Sequence, residues 1–301
     1  MKPKICTALL VCFSWAFLVN APSQAALNGK IVMTKNVKLT AKQRHRLPNT
    51  VVFRSTTERR AIYVLDINTG RQKALTDSCF NEMLPFASPN GKKVAFTRFE
   101  KSGQKIAWTL TLLDLQSGQE KRIPSSYDFF PICWTSNDCL IGSSNFKVCA
   151  VDINSRKVRQ LVSVESEPIS GSFCKSNGNI YFENENHERE LKGPDFGYSV
   201  EVKTVNLGTL NVKYLFDGSS PKISPDGQRL IYQSDQVVLY NLKSGRKTPI
   251  SKNAGRATFS PDGKHIAYLQ FDASQASIII RNLDQTLVKK IPVGNATEFS
   301  W

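Results

Sequence analysis

"SPDGKHIAY", residues 260–268, places a tight turn directly before an apolar strand. Proline at the second position presets φ for a type I turn. Aspartate accepts from its own backbone, and glycine takes the left-handed position that closes the hairpin. The unit recurs as "SPNGKKVAF" from Ser88, "TSNDCLIG" from Thr135, "KSNGNIYF" from Lys175 and "SPDGQRLIY" from Ser224. Asp226, Gly227, Asp262 and Gly263 therefore read as turn residues. Aspartate and glycine mark turns far more often than they mark metal sites or catalytic acids.

A second series interleaves with the first. "IYVLDINTG", "LTLLDLQSG", "VCAVDINSR", "EVKTVNLGT", "VVLYNLKSG" and "IIIRNLDQT" each end a strand on an Asx residue and then turn. The Asx positions are Asp66, Asp114, Asp152, Asn206, Asn241 and Asn282, spaced by 48, 38, 54, 35 and 41 residues. A four-stranded propeller blade takes roughly 40–45 residues. Short runs rich in Ile, Val, Leu, Tyr and Phe between turns read as strands. The expected fold is all-β: a six-bladed β-propeller of four-stranded antiparallel blades.

Six third strands stand against only five clear turns between first and second strands. The first blade lacks an innermost strand of its own, and "ATEFSW" (296–301) lacks the turn that should follow it. The expectation is that the C-terminal strand completes the first blade. Its other strands would be "TVVFRS" (50–55), "AIYVLDI" (61–67) and "QKALT" (72–76). Closure of this kind removes exposed sheet edges.

The first 25 residues read as a secretory signal: Lys2 and Lys4, an apolar run from Ile5 to Val19, then Ser23-Gln24-Ala25. The apolar run is shorter than the roughly 20 residues that span a bilayer, and no later stretch qualifies. The domain division is thus a signal peptide at 1–25, a basic N-terminal arm at 26–50 and the propeller at 51–301. Residues 30–60 hold nine basic side chains against Glu58 alone. Five cysteines follow the signal, Cys79, Cys133, Cys139, Cys149 and Cys174, none in C-x-x-C spacing. They read as buried small residues with room for a disulfide, and not as a zinc or thioredoxin-like site.

The Ser-Pro-Asp-Gly-Lys-x-Ile-Ala-Tyr unit, paired with Ile-Tyr-Val-x-Asp-Ile-x-Thr-Gly, resembles the WD40-like (PD40) repeat of the TolB-type propeller family. The resemblance spans roughly residues 50–301 and is strongest at 62–97 and 222–270. It implies a six-bladed propeller and an envelope protein that binds another protein. It departs from TolB proper in leaving too few residues before the first blade for that family's N-terminal α/β domain.

In an antiparallel blade the a–b and c–d turns share one face of the ring, and the b–c and d–a connections share the other. The first set is uniformly tight here. The second varies, with long members expected at Phe99–Ile106, Asp77–Leu84, Val164–Ile169 and Glu183–Ser199. Function concentrates on variable loops held by a rigid scaffold, so the b–c/d–a face and the adjoining channel mouth are the expected binding surface. Candidate binding residues are Lys42, Arg44, His45 and Arg46 in the arm, and Glu183, Glu185 and His187 in the longest loop. The arm suits an acidic protein, lipid head groups or another polyanion. Its rival reading is a polar exported tail. Metal binding through Glu183, Glu185, His187 and Glu188 is the lesser reading beside a solvated acidic excursion.

The expectation is an exported, monomeric, non-enzymatic binding propeller, periplasmic or secreted, with no cofactor, catalytic residue or metal site. Its partner would be an envelope or extracellular protein of acidic character. Nucleic acid does not fit an exported chain whose basic segment lacks interleaved aromatics. The alternatives are a lyase- or peptidase-associated propeller and a glycan-binding module using Trp108, Tyr127, Phe129, Phe130 and Trp134. The chain has no G-x-S-x-G elbow and only three histidines, His45, His187 and His265. Aromatics also dominate all-β cores without any ligand.

Overall fold

A computed structural model describes residues 29–38, 58–77, 80–102, 105–123, 128–166, 168, 170–190, 198–272 and 275–301. Every regular element among them is a strand, and the strands form six four-stranded antiparallel sheets. In chain order the second sheet is β4 (Asn81–Ala87), β5 (Lys93–Ser102), β6 (Lys105–Asp114) and β7 (Glu120–Ile123). The third is β8 (Phe130–Trp134), β9 (Cys139–Ser143), β10 (Lys147–Asp152) and β11 (Val158–Ser163). The fourth is β12 (Gly171–Cys174), β13 (Asn179–Glu190), β14 (Tyr198–Asn206) and β15 (Val212–Asp217). The fifth is β16 (Ser219–Ile223), β17 (Arg229–Gln233), β18 (Val237–Asn241) and β19 (Lys247–Ser251). The sixth is β20 (Ala254–Phe259), β21 (His265–Phe271), β22 (Ala276–Asn282) and β23 (Leu287–Gly294). The molecule is a six-bladed β-propeller.

The first blade is assembled from both ends of the described chain. Its order is β24 (Ala296–Ser300), β1 (Lys30–Lys38), β2 (Glu58–Asp66) and β3 (Gln72–Ala74). The C-terminal strand closes the ring as expected, pairing Val32 with Ser300 and Met33 with Phe299. The second strand, however, is not 50–55. It is β1, which lies inside the segment read from sequence as a basic arm, so the division at residue 50 is corrected: residues 30–38 belong to the propeller. The physical reason is plain. Ile31, Val32, Met33 and Thr34 are all fully buried, while Lys30 and Lys38 sit exposed at the strand ends. Counting charge over 30–60 concealed a four-residue core strand between them.

The β1 turn also matches the other blades. Gly29 has φ +71°, as Gly178 has φ +69° in "KSNGNIYF". Its carbonyl accepts the Ile67 N–H (2.6 Å), as the Gly178 carbonyl accepts that of Leu207 (2.9 Å). The turn after "ATEFS" is thus supplied by Gly29, far away in sequence.

Blades are buried on both faces, which is why their central strands are apolar on successive residues instead of alternating with polar ones. Successive side chains face opposite neighbours. Ile31, Met33 and Phe299 pack against Ile278 and Ile280 of the sixth blade, whereas Val32 packs against Val94 and Phe96 of the second. Six apolar clusters result, one at each blade-to-blade junction. The outer strands carry the polar residues, as in "EKRI" and "KTPIS".

The turn carboxylates behave as backbone caps. Asp226 Oδ1 accepts from Ser224 Oγ (2.5 Å) and Gln228 N (3.0 Å), and Asp262 Oδ1 accepts from Ser260 Oγ (2.5 Å) and Lys264 N (3.0 Å). Gly227 is required twice over. Its φ is +72°, and a Cβ there would meet Ser176 Oγ at 2.7 Å and Cys174 Sγ at 2.8 Å. Cys133, Cys139 and Cys174 are free thiols; Cys79 lies outside the described residues.

Candidate functional site at the channel mouth

The innermost strands line the central channel, and three of them carry a bulge with a left-handed residue: Leu84 in β4 (φ 55°), Ser220 in β16 (φ 52°) and Arg256 in β20 (φ 53°). Non-glycine residues pay for this conformation, on the order of 1 kcal/mol or more each, and the surroundings must hold them there. Bulges re-aim side chains and free backbone N–H groups. Two of these N–H groups are taken by carboxylates of a neighbouring blade. Leu84 N donates to Glu298 Oε2 (2.8 Å), and Ser220 N donates to Glu183 Oε2 (2.7 Å). At the third bulge the displaced residue is itself an arginine.

These elements border a cavity of about 540 Å³ on the face that carries the b–c and d–a connections. Glu183, Asn184 and Glu185 come from the fourth blade, Ser219, Ser220 and Gln233 from the fifth, and Arg256 and Phe271 from the sixth. Thr297 of the closing strand completes it on the first blade's side. That volume is in the range of small-ligand or side-chain pockets.

The charged groups are unequally engaged. Glu298 also accepts weakly from Thr34 Oγ1 (3.4 Å). Arg256 lies 3.8 Å from Glu298 Oε1, and its Nη1 is 3.5 Å from Ser220 Oγ, both at the limit of interaction. Burial raises the Glu183 carboxyl above the ordinary glutamate value, although the Ser220 N–H, Arg256 and Lys222 pull it back in part. Deeper in the channel, Lys222 Nζ donates to the Gly171 carbonyl (2.5 Å) and sits 5.0 Å from the Phe86 ring centroid. Burial pulls the Lys222 ammonium down to about 8, against the opposing pull of Cys133 and Glu183. Burial pushes the Cys133 thiol up to about 12.

Of the sequence candidates, Glu183 and Glu185 both border this cavity, but on a strand. The expected loop 183–199 is largely a hairpin: β13 continues to Glu190 and pairs Glu183 with Val202, Glu185 with Val200 and Glu190 with Tyr198. The expected loop 99–106 is likewise a hairpin, paired as far as Ser102 with Lys105. The side chain of His187 lies outside the described residues, as do Lys42, Arg44, His45 and Arg46. The last four sit on the connection between β1 and β2, whose ends Lys38 and Glu58 are paired. That connection therefore leaves from the b–c/d–a face and is tethered at both ends. Among the described residues no group of three or more His, Cys, Asp or Glu could hold a metal. No helix there is long and apolar enough to cross a membrane. Of the aromatics weighed for glycan binding, Phe129 and Trp134 are core residues, and Trp108 packs on Phe99 (4.7 Å between centroids).

Sequence reading did not find Arg256, Glu298, Lys222, Gln233 or Phe271. One signal was available. Arg256 lies four residues before the turn serine of its blade and Glu298 two before Ser300. Lys222 lies two before Ser224. A charge inside an innermost strand was that signal.

The fold is shared with known propellers at low sequence identity. TolB from Acinetobacter baumannii superposes with a TM-score of 0.68 at 17% identity, over 91% of this chain and 66% of that one. A putative TolB from Agrobacterium tumefaciens gives 0.63 at 10% identity, over 89% and 91%. An oligogalacturonate lyase in complex with manganese gives 0.55 at 12% identity, over 87% and 75%. The sequence matches no protein-family model and no curated protein. The class is thus a TolB-like six-bladed propeller fold, and at these identities the likeness extends to the fold alone.

Proposed function

We propose that this chain is an exported, non-enzymatic binding propeller that docks a partner protein of the cell envelope at the b–c/d–a face. The observation that carries the reading is the cavity at the channel mouth. It is open, bordered by strand ends from four blades, and lined by Arg256, whose donors are barely engaged. Three further features support it. The opposite face is occupied by tight turns whose side chains cap their own backbone. The basic connection bearing Lys42, Arg44, His45 and Arg46 leaves from the cavity's face. The signal-like residues 1–25 favour a periplasmic or secreted location.

A photo-crosslinking residue at Phe271, on the cavity, and another at Lys264, in a turn on the opposite face, test this reading in the full chain. Irradiation in envelope extract should give one discrete adduct from Phe271 and none from Lys264. Equal labelling from both positions, or turnover of oligosaccharide or peptide panels by the purified protein, would contradict it.

A further inference from the structure

We infer that the channel-mouth cavity is a carboxylate site: it takes an acidic side chain, flanked by an apolar group, from an extended peptide. The inference rests on the docking reading above and names the chemistry that the cavity selects.

The hydrogen-bond inventory decides the sign of charge. Glu183, Glu185 and Arg256 line the cavity, with Glu298 beside Arg256, and they are not equally engaged. Glu183 Oε2 is held by the Ser220 N–H, and Glu298 Oε2 by the Leu84 N–H and Thr34 Oγ1. Each of these two carboxylates thus has one oxygen occupied by a bulge N–H, and Glu185 is likewise engaged. A guanidinium carries five N–H donors and no acceptor. Those of Arg256 reach Ser220 Oγ at 3.5 Å and Glu298 at 3.8 Å. By contrast Arg98 makes four hydrogen bonds of 2.6–2.9 Å to Glu82 and Glu120. Lys222, also cationic, lies behind Arg256 in the channel and adds positive potential.

A second observation points the same way. Thr297 Oγ1 and Gln233 Oε1, both on cavity-lining residues, are shut off from solvent with no hydrogen-bond partner. Unsatisfied buried groups cost free energy, and a polar ligand can offset that cost. A hydroxyl donates to a carboxylate, and an amide oxygen accepts from a peptide N–H. The size and walls exclude a bare inorganic anion as the best occupant. Some 540 Å³ is left around the guanidinium, and Phe271, 45% exposed, stands on its rim with Val200 and Ala254. Guanidinium, amide acceptor and aromatic wall together fit an acidic residue next to an apolar one.

The probes are N-acetyl-Glu-Phe-amide, its Gln and Lys counterparts, and free glutarate, titrated calorimetrically into the full mature chain. The Glu peptide should bind at least tenfold more tightly than the Gln and Lys peptides, as a charge-assisted hydrogen bond to the guanidinium requires. Arg256→Met should remove that preference, Arg256→Lys should restore part of it, and Phe271→Ala should weaken the Glu peptide but not glutarate. Tighter binding of glutarate than of the peptide would reassign the site to free small carboxylates and overturn the peptide claim. Equal binding of all three peptides, or preference for the Lys peptide, would overturn the carboxylate site. If the preference is absent while crosslinking from Phe271 still captures one partner, the carboxylate inference fails and the docking reading stands.

Discussion

Arg98 and Arg256 belong to the two blades that flank the first, the second and the sixth, and their fates differ. Arg98, on the second strand of its blade, is 4% exposed and clamped between Glu82 and Glu120, with the Phe80 and Phe96 rings at 4.5 and 5.3 Å. Burial opposes its charge, but the hydrogen bonds and charges of Glu120 and Glu82 prevail and hold the guanidinium above its ordinary value. Burial in turn raises Glu82, which Arg98 and the Thr76 hydroxyl restore only in part. Arg256 sits on a left-handed bulge, 35% exposed, with neighbours at the limit of contact. Identical chemistry is consumed by structure on one flank and left available on the other. The difference comes from the backbone: the bulge at Arg256 turns its side chain into the cavity, whereas the regular strand at Arg98 delivers it to two carboxylates.

The largest effect expected is at the seam joining the flanks, the first blade. Deleting residues 30–34 removes the fully buried Ile31, Val32 and Met33, worth about 1.5–3 kcal/mol apiece, and should cost on the order of 5 kcal/mol or more; deleting Thr297–Trp301 removes buried Phe299 and Glu298 together with the pairing that closes the ring, and should cost a comparable amount. Denaturant unfolding of the two truncations should therefore give similar losses. A mild effect for 30–34 alone would return that segment to a peripheral arm.

Next in size is Arg98→Met, which leaves Glu82 buried without its cation; breaking such a pair costs about 3–5 kcal/mol. Arg256→Met should lie within about 1 kcal/mol of wild type, as for other partly exposed, loosely paired charges. Equal losses in urea titrations would erase the comparison.

The smallest effect is at Glu183 and concerns pH. Its folded-state value is raised by burial, so between the ordinary value of 4.5 and that raised value the native state holds more protons than the unfolded chain. Stability attributable to this group therefore falls as pH rises through that window. Glu183→Gln keeps an acceptor for the Ser220 N–H and removes the titration. Its stability–pH curve should be flatter than wild type from about pH 4.5 upward, leaving it equally or more stable at neutrality. A steeper loss for Gln would show that the carboxylate charge is favourable where it lies.

Much of the fold was legible because its signals are local. The turn Ser-Pro-Asp-Gly and the Asx-Leu/Ile series state the hairpins outright, and their unequal counts point to closure by "ATEFSW". The second strand of the first blade was missed because its turn is completed in space by distant residues. Gly29-Lys30-Ile31-Val32 carries the same pattern as Gly178-Asn179-Ile180-Tyr181, but without an innermost strand before it. Two acidic residues of the cavity, Glu183 and Glu185, were legible as chemistry though not as strand. Arg256 was not, because a bulge with φ near 50° has no local signature at a non-glycine residue, and Glu298 offered only a charge inside an innermost strand. What turns "RATFSPDG" into a binding element is contact with the neighbouring blades.

The division of labour between the two arginines is tested most directly by hydrogen exchange at the arginine Nε–H groups, followed by NMR. Arg98 Nε donates to Glu82 Oε1 at 2.9 Å inside the protein. Its proton should exchange slowly with or without ligand. The Arg256 proton should exchange rapidly in the free protein and become protected when N-acetyl-Glu-Phe-amide is added. Protection of Arg256 in the free protein equal to that of Arg98, or no change on adding the acidic peptide, would contradict the account.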